Sequence, residues 1–323
     1  MFLKTITLLL AAASLSLQLP IQKRALSAGP VITSNFPDPA FLQLDGTYYA
    51  FSTTAGGLNI PMATSPDFSS WTVTGTDALP TLPSWGTGPT WAPDVSQLDD
   101  GTFVMYFAAV STSDTSKHCV GTATSNTVTG PYTPSDTPFA CPLDQGGAID
   151  AAGFRDSDGT RYVVYKIDAN SLGGGGICGN GDESHDTPLT LQQVGADGVT
   201  PVGSATTILS RGPADGPLIE APSLVKAADG TYVLFFSSNC YNGPDYDVSY
   251  ATAPSVTGPY TKSGAALLVS GDDGGMLNSP GGASVGIGGT QLVFHSDSVA
   301  SNAAVRQMWT AGITISGTTV AIS

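Results

Sequence analysis

One sequence unit occurs five times in this chain, and the repetition limits the fold more than any other feature. Each copy has an apolar segment, a turn, and a second segment rich in aromatic and β-branched residues: "DPAFLQLDGTYYAFST", "APDVSQLDDGTFVMYFAA", "DAAGFRDSDGTRYVVYK", "EAPSLVKAADGTYVLFFSS" and "PGGASVGIGGTQLVFHSD". The turn glycines, which are 55, 58, 71 and 59 residues apart, are Gly46, Gly101, Gly159, Gly230 and Gly289. Asp-Gly and Gly-Gly pairs between such segments indicate β-hairpins, because these turns need positive φ.

A third strand follows several hairpins and has its own recurring end, in "MATSPDFSSW", "GTATSNTVTGPY" and "SYATAPSVTGPY". Three or four strands per unit at this period are typical of a β-propeller blade. We therefore predict an all-β, five-bladed β-propeller that forms a single domain over residues 25–323. A β-sandwich is the alternative, but a sandwich does not require the same hairpin sequence five times.

The repeat also places acidic residues near the start of the innermost strands, whose side chains face the central channel. Aligned on their turns, the units carry at this position Asp38, Asp94 or a neighbour, Asp150, Glu220, and the pair Gly281–Gly282. Asp38 lies between two prolines and has an alternative role as a turn residue. Like charges gathered in a partly desolvated site repel each other, and they occur mainly where shifted pKa values serve a function. We expect the carboxylates to converge at one mouth of the channel.

Four segments carry a resemblance to a known family. They are "NFPDPA" with Asp38, "TWAPDV" with Trp91 and Asp94, "GGAIDAAGFRD" with Asp150, and "LIEAPSLVK" with Glu220. In this order and spacing the chain resembles glycoside hydrolase family 43, five-bladed propellers that act on plant cell-wall pentose polymers. The resemblance covers essentially the whole chain after its first residues.

The resemblance implies a role for each carboxylate. Asp38 would be the general base that activates water, and Glu220 the general acid that protonates the leaving oxygen. Asp150 would orient Glu220 and keep it protonated. An inverting glycosidase independently needs one ionised and one protonated carboxyl, separated by roughly 6.5–9.5 Å so that a water molecule fits between them.

Sugar binding needs flat apolar surfaces and hydrogen-bonding groups. Trp91 is the first candidate for such a surface, with core packing as its alternative, and Phe36, next to Asp38, is the second. Arg306, in "AAVRQMWT", lies where family members often place an arginine that reaches into the site. A structural ion pair is the alternative role of Arg306.

The first residues indicate secretion. Lys4 precedes an apolar stretch that is too short to span a bilayer, and Lys23-Arg24 matches a dibasic processing site, so residues 1–24 are predicted to be a signal peptide with a short pro-segment. Loss of these three basic residues leaves eight basic residues against 26 acidic ones, a net charge of −18. This balance argues against nucleic acid or anionic membrane partners. We expect a secreted, monomeric protein with a neutral polysaccharide or oligosaccharide as its ligand.

The four cysteines allow three pairings in a secreted chain. Cys119 and Cys141 bracket a segment that reads as a strand, a turn and a returning strand. We therefore favour Cys119–Cys141 with Cys178–Cys240. The irregular segment 171–186 contains Cys178 and is a candidate for a substrate-side loop.

No metal or other cofactor is predicted. Many relatives carry a histidine at the start of the fifth blade that helps to hold a metal ion or water, but here Gly282 takes that position, which argues against a central calcium ion. His295 is expected to pack in a strand of the last blade, and His118 to lie at the surface.

These features together predict a secreted inverting glycoside hydrolase, with an exo-acting α-L-arabinofuranosidase as the first expectation. A β-xylosidase and an endo-1,5-α-L-arabinanase are alternatives of the same class. A non-catalytic carbohydrate-binding propeller is the alternative of another class. Such a protein would be expected to lose Asp38 or Glu220, whereas both residues are present.

Overall fold

The computed structural model describes residue 26 and residues 28–298 and 305–323. Five antiparallel sheets of four strands each follow one another along the chain, and in each sheet the spatial order of the strands is the order in the sequence. The innermost strands of successive sheets are neighbours, and the first and fifth of them also meet, so the sheets close into a ring. The predicted five-bladed β-propeller is confirmed. The predicted leader, residues 1–24, lies outside the described residues.

The strands are short and most are joined by tight turns. The first and second blades comprise β1 (Ala40–Leu44), β2 (Thr47–Phe51), β3 (Pro61–Ser65), β4 (Thr72–Asp77), β5 (Gly86–Gln97), β6 (Phe103–Ser111), β7 (His118–Ser125) and β8 (Thr133–Pro134). The third and fourth comprise β9 (Ala148–Arg155), β10 (Arg161–Ile167), β11 (Leu189–Val194), β12 (Thr206–Leu209), β13 (Ile219–Lys226), β14 (Tyr232–Ser238), β15 (Ser249–Ala253) and β16 (Thr261–Lys262). The fifth comprises β17 (Gly281–Val285), β18 (Gln291–Asp297), β19 (Arg306–Ser316) and β20 (Thr319–Ile322).

In the part of the chain that the structure describes, helical structure is confined to single turns between strands. Four 3₁₀ turns occur at Leu143–Gln145, Ala169–Leu172, Ile177–Gly179 and Pro213–Asp215, and one α-helical turn, α1, occurs at Asp272–Gly275. Within the described ranges no helix is long and apolar enough to cross a membrane.

The predicted hairpins form between the first two strands of each blade. In the first blade Leu44 pairs with Thr47, so the turn consists of Asp45 and Gly46 alone, and both have positive φ (48° and 81°). This is the type I′ geometry that fits the twist of a hairpin. Positive φ also occurs at the other four predicted turn glycines: Gly101, Gly159, Gly230 and Gly289.

Apolar side chains fill the space between neighbouring blades. Five separate hydrophobic clusters occur, one at each blade boundary, including the boundary between the last blade and the first. In that closing cluster Phe41 of β1 packs with Val293 of β18 and Met308 of β19. The segment before β1 strengthens the closure, because Ile32 forms a β-bridge with Met308 and the Phe36 N–H donates to the carbonyl of Arg306 at 2.8 Å.

A residue with φ between 40° and 58° lies just before or within the innermost strand of each blade: Asp38, Ala92, Asp150, Ala221 and Gly282. The structure thereby corrects the alignment of the acids. Asp38, Asp150 and Gly282 occupy equivalent positions, whereas Glu220 lies one residue before this position and Asp94 two residues after it. Asp94 consequently lines a small cavity of about 40 Å³ inside the channel.

Candidate active site

A cavity of about 350 Å³ lies where the innermost strands begin. Its wall includes Asp38, Asp150 and Glu220, which come from the first, third and fourth blades, together with Trp91 and Arg306. Five of the six residues that the sequence suggested for a site therefore meet in one pocket. Carboxylates more than 180 positions apart in the chain share this space because each precedes or begins an innermost strand.

Asp38 is fixed by contacts from three other strands or strand ends. Its N–H donates to Nδ1 of His295 at 3.1 Å, and its Oδ2 accepts a hydrogen bond from the Thr53 hydroxyl at 2.6 Å. Nη1 of Arg306 donates to both of its carboxylate oxygens. Burial alone would raise the pKa of Asp38, but the charge of Arg306 and the hydrogen bond from Thr53 outweigh burial and lower the pKa. Asp38 is thus held as a carboxylate and is not part of a hairpin turn.

Arg306 combines both roles that the sequence left open. It forms the ion pair with Asp38, and it also lines the pocket. Its guanidinium carbon lies 5.1 Å from the centroid of the Tyr241 ring, within the range of a cation–π contact. Tyr241 is 44% exposed and belongs to the same pocket wall, so an aromatic face stands beside the ion pair.

Glu220 is held at both oxygens. Oε2 accepts from Nζ of Lys166 at 2.9 Å, and Oε1 accepts from the hydroxyl of Tyr246 at 3.0 Å. Lys166 also lies 3.0 Å from Oδ1 of Asp168. The sequence reasoning missed Lys166, Asp168 and Tyr246. The one available signal was Lys166 itself, a lysine next to the last residue of β10 and beyond the apolar pair Val163–Val164.

Asp150 acts on Glu220 through the backbone and through charge. Its Oδ2 accepts a hydrogen bond from the N–H of Ala221, the residue that follows Glu220, at 2.9 Å. Burial raises the pKa of Asp150 to about 8, the negative charges of Glu220 and Asp38 add to this effect, and Lys166 opposes it. The described side-chain contacts that orient Glu220 come from Lys166 and Tyr246. With its raised pKa, Asp150 keeps its proton at neutral pH.

The two predicted aromatic contacts have different outcomes. Trp91 lines the pocket, and one face of its ring stacks on His118 with centroids 3.7 Å apart. His118, which was expected at the surface, is part of the pocket wall. The prediction for Phe36 is wrong: its side chain is 1% exposed and packs in the cluster that closes the ring, so it offers no surface to a ligand.

The glycine pair of the fifth blade provides space for two rings. A Cβ at Gly281 would lie 2.0 Å from the Tyr246 ring, and a Cβ at Gly282 would lie 2.7 Å from the His295 ring and 3.1 Å from Oδ1 of Asp38. The first and third blades carry Asp38 and Asp150 at the position of Gly282. In the fifth blade the two glycines instead leave room for the rings of Tyr246 and His295, which contact Glu220 and Asp38.

The channel offers no clear donor set for a metal ion. Among the described residues no group of three or more His, Cys, Asp or Glu side chains is arranged to hold one. Nδ1 of His295 already accepts the N–H of Asp38, and burial lowers the pKa of His295 to about 3, so its ring is neutral. These residues do not fit the central calcium ion considered from the resemblance, and we assign no step to one.

Both predicted disulfides are present, Cys119–Cys141 and Cys178–Cys240. Cys178 and Ser171 line the pocket, which places part of the irregular segment 171–186 at the site as predicted. The second disulfide joins this segment to Cys240, the neighbour of Tyr241. Two parts of the pocket wall from different blades are thereby linked covalently.

Comparison with known families gives one match that spans most of the chain. The pattern of Glycosyl hydrolases family 43 matches residues 27–308. A solved structure described as a thermostable family-43 glycoside hydrolase superposes with a TM-score of 0.78 at 25% identity, covering 93% of this chain and 96% of that one.

Other relatives align over smaller parts of the chain. The chain is 26% identical to "Beta-D-galactofuranosidase xynD" of Aspergillus niger, over 76% of this chain and 69% of that protein. It is 28% identical to a "Probable arabinan endo-1,5-alpha-L-arabinosidase A" of Aspergillus fumigatus, over 76% of this chain and 74% of that protein. It is 29% identical to "Extracellular endo-alpha-(1->5)-L-arabinanase 2" of Bacillus subtilis over 40% of this chain, and the aligned segment spans only 32% of that relative.

Proposed function

Because this chain belongs to glycosyl hydrolases family 43, we propose that it hydrolyses α-1,5-linked arabinan with inversion at the anomeric carbon. The observation that carries the proposal is the asymmetry of the acid set. Asp38 is kept ionised by Arg306, whereas Asp150, with a pKa of about 8, retains a proton close to Glu220. One carboxylate that accepts a proton and one carboxyl that donates a proton are what single-step inversion requires.

In this mechanism Asp38 removes a proton from a water molecule on one face of the sugar ring. Glu220 donates its proton to the leaving glycosidic oxygen on the other face, and the bond from the anomeric carbon to that oxygen breaks as the bond to water forms. Trp91 and Tyr241 present flat apolar surfaces for sugar C–H groups. Thr53 and Arg306 keep the Asp38 carboxylate oriented while it accepts the proton.

We place endo-acting arabinanase activity ahead of the exo-acting α-L-arabinofuranosidase that the sequence first suggested. Relatives that align over about three quarters of this chain are named as endo-1,5-α-L-arabinosidases. The A. niger relative is named for another furanoside, and both sugars present a five-membered ring to the enzyme.

The test is hydrolysis of a substrate panel by the mature protein. The panel should contain linear α-1,5-arabinan, branched arabinan, arabinoxylan and the nitrophenyl glycosides of α-L-arabinofuranose, β-D-xylose and β-D-galactofuranose. We expect linear arabinan to yield a series of oligosaccharides. Arabinose as the sole early product would overturn endo action, and binding of arabinan without any cleavage would support the carbohydrate-binding alternative instead.

Proton NMR of the first-formed product tests the stereochemistry. We expect the β-anomer to appear before mutarotation from an α-linked substrate. Early appearance of the α-anomer would mean retention, with Asp38 acting as a nucleophile.

We also propose that the protein is secreted as a monomer with residues 1–24 removed. Two disulfides and relatives named as extracellular support this location. Terminal sequencing of protein from the culture medium should give Ala25 as the first residue, and light scattering should give the monomer mass. A retained leader or a dimer mass would contradict these two statements.

A further inference from the structure

Lys166 is a buried ammonium in the wall of the pocket. Its side chain is 1% exposed, and Nζ lies 2.9 Å from Oε2 of Glu220 and 3.0 Å from Oδ1 of Asp168. Removing an ammonium group from water is costly unless nearby charges and hydrogen bonds compensate for the loss. Here two carboxylates from two blades compensate, and one of them is the proposed general acid.

Lys226 shows what an ordinary ion pair in this fold looks like. It ends β13, the same strand in which Glu220 is the second residue, so the two lie at opposite ends of the strand. Nζ of Lys226 is 2.8 Å from Oδ1 of Asp156, and its side chain remains 28% exposed. An ion pair that only joins two blades therefore does not need complete burial. The burial of Lys166 beside Glu220 points to a further role.

We propose that Lys166, neutralised in part by Asp168, is a positioning residue that fixes the Glu220 carboxyl and sets the charge balance under which Asp150 keeps its proton. This inference rests on the proposed function, in which Glu220 is the general acid. Lys166 exchanges no proton in the proposed reaction and acts through its contact with Oε2 of Glu220.

The charges around Lys166 predict the direction in which each substitution shifts the titration of the neighbouring carboxyl. Asp150, Asp168 and Glu220 supply three negative charges when all are ionised, and Lys166 supplies one positive charge. The other titratable or charged groups in the pocket wall are Asp38, His118, Tyr241, Tyr246 and Arg306. Burial alone would lower the pKa of Lys166, but Asp168, Glu220 and Asp150 raise it above its ordinary value, so Lys166 stays charged.

Two substitutions should therefore act in opposite directions. Lys166→Met removes a cation, which makes the carboxyl proton harder to lose. Asp168→Asn removes an anion and leaves the cation less compensated, which makes the same proton easier to lose. A nearby charge typically shifts such a titration by roughly 1–3 pH units.

The decisive experiment is ¹³C-carboxyl NMR titration of the substrate-free protein, with the signals of Glu220 and Asp150 assigned from Glu220→Gln and Asp150→Asn. We expect the titration to move to higher pH in Lys166→Met and to lower pH in Asp168→Asn. It should stay in place in Lys226→Met, the control from the far end of β13. An unchanged titration in Asp168→Asn, or shifts of the same sign in both variants, would overturn the proposal.

Lys166→Met leaves the carboxylates of Glu220 and Asp168 without their cation and is expected to destabilise the fold, so Lys166→Arg is the companion variant. Arginine keeps the charge and should keep the titration within about half a unit of the wild type. The alkaline limb of the kcat/KM profile should follow the NMR shifts, with kcat affected more than KM. The NMR measurement needs no turnover, so a failure of the proposed hydrolysis and a failure of this inference are distinguishable.

Discussion

Arg306 and Asp38 are 268 positions apart in the chain, yet Nη1 of Arg306 lies 2.9 Å from Oδ1 and 3.1 Å from Oδ2 of Asp38. The segment before β1 runs beside β19, and this pairing brings the two side chains together at the closure of the ring. The same contact that joins the ends of the propeller therefore keeps the proposed general base ionised.

The first prediction concerns Asp38→Asn. An amide cannot accept the proton of water, so kcat on arabinan should fall on the order of 10²–10⁴-fold, the usual effect of losing a general base. The melting temperature should change little, because Asn retains an acceptor for Thr53. Full activity in a folded Asp38→Asn protein would show that Asp38 has a structural role and is not the general base.

Arg306→Met should change the acid side of the pH profile. Arg306 lowers the pKa of Asp38, so its removal raises that pKa, and the ionised form needed for catalysis then appears only at higher pH. The acid limb of kcat/KM should move up by roughly 1–3 pH units. Arg155→Met, which removes an exposed pair with Asp99, is the control and should leave the limb in place.

Glu220→Gln should lower activity in a way that depends on the leaving group. Arabinan needs a protonated leaving oxygen, so its hydrolysis should slow on the order of 10²–10⁴-fold. Dinitrophenolate leaves without protonation, and dinitrophenyl arabinofuranoside should lose much less. Equal losses on both substrates would argue that Glu220 binds the substrate rather than donating a proton.

Asp150→Asn should raise the melting temperature at high pH and lower the activity. Burial and neighbouring negative charge raise the pKa of Asp150 from an ordinary 3.8 to about 8. The folded protein thus binds this proton more tightly than the unfolded chain does, and stability is lost as pH rises through that range. We expect Asp150→Asn to melt above the wild type at pH 9 and close to it at pH 4, with lower activity throughout. Lower melting than the wild type at pH 9 would contradict the sign.

Gly282→Ala should displace the Asp38 carboxylate without changing its chemical identity. The added Cβ would meet the His295 ring and approach Oδ1 of Asp38, so kcat should fall while the protein still folds. Gly46→Ala is the matched control: Gly46 also has positive φ, but its Cβ would meet nothing within 4 Å. Each variant should lose about 1–2 kcal/mol of stability from the left-handed backbone, and only Gly282→Ala should lose activity.

Phe36 shows where sequence reasoning about the site fails. It lies two residues before Asp38, and this proximity suggested that it shared the pocket. The backbone between them pairs with the fifth blade and then turns into the left-handed conformation at Asp38. The Phe36 side chain consequently enters the hydrophobic cluster, and only Asp38 enters the pocket. Neighbours in sequence share a site only when the local backbone directs both side chains to the same side.

Lys166 and Tyr246 show the converse, because their local sequence does not reveal what they contact. Lys166 lies next to the end of a strand that resembles the second strand of the other blades, and Tyr246 lies in a loop. Their contacts with Glu220 arise only when the third and fourth blades pack together and Gly281 leaves room for the tyrosine ring.

The sequence by itself determined the five-bladed ring, the disulfide pairing and the presence of Asp38, Asp150 and Glu220 in one site. Hairpin turns and strand patterns are encoded within a few residues, and the recurrence of this unit every 55–71 residues gives the number of blades and aligns the acids. Only the tertiary structure decided which groups hold those acids, which aromatic residues face the pocket, and where the protons reside. Burial and the approach of charges from other blades set these properties, and both exist only after the blades have packed against one another.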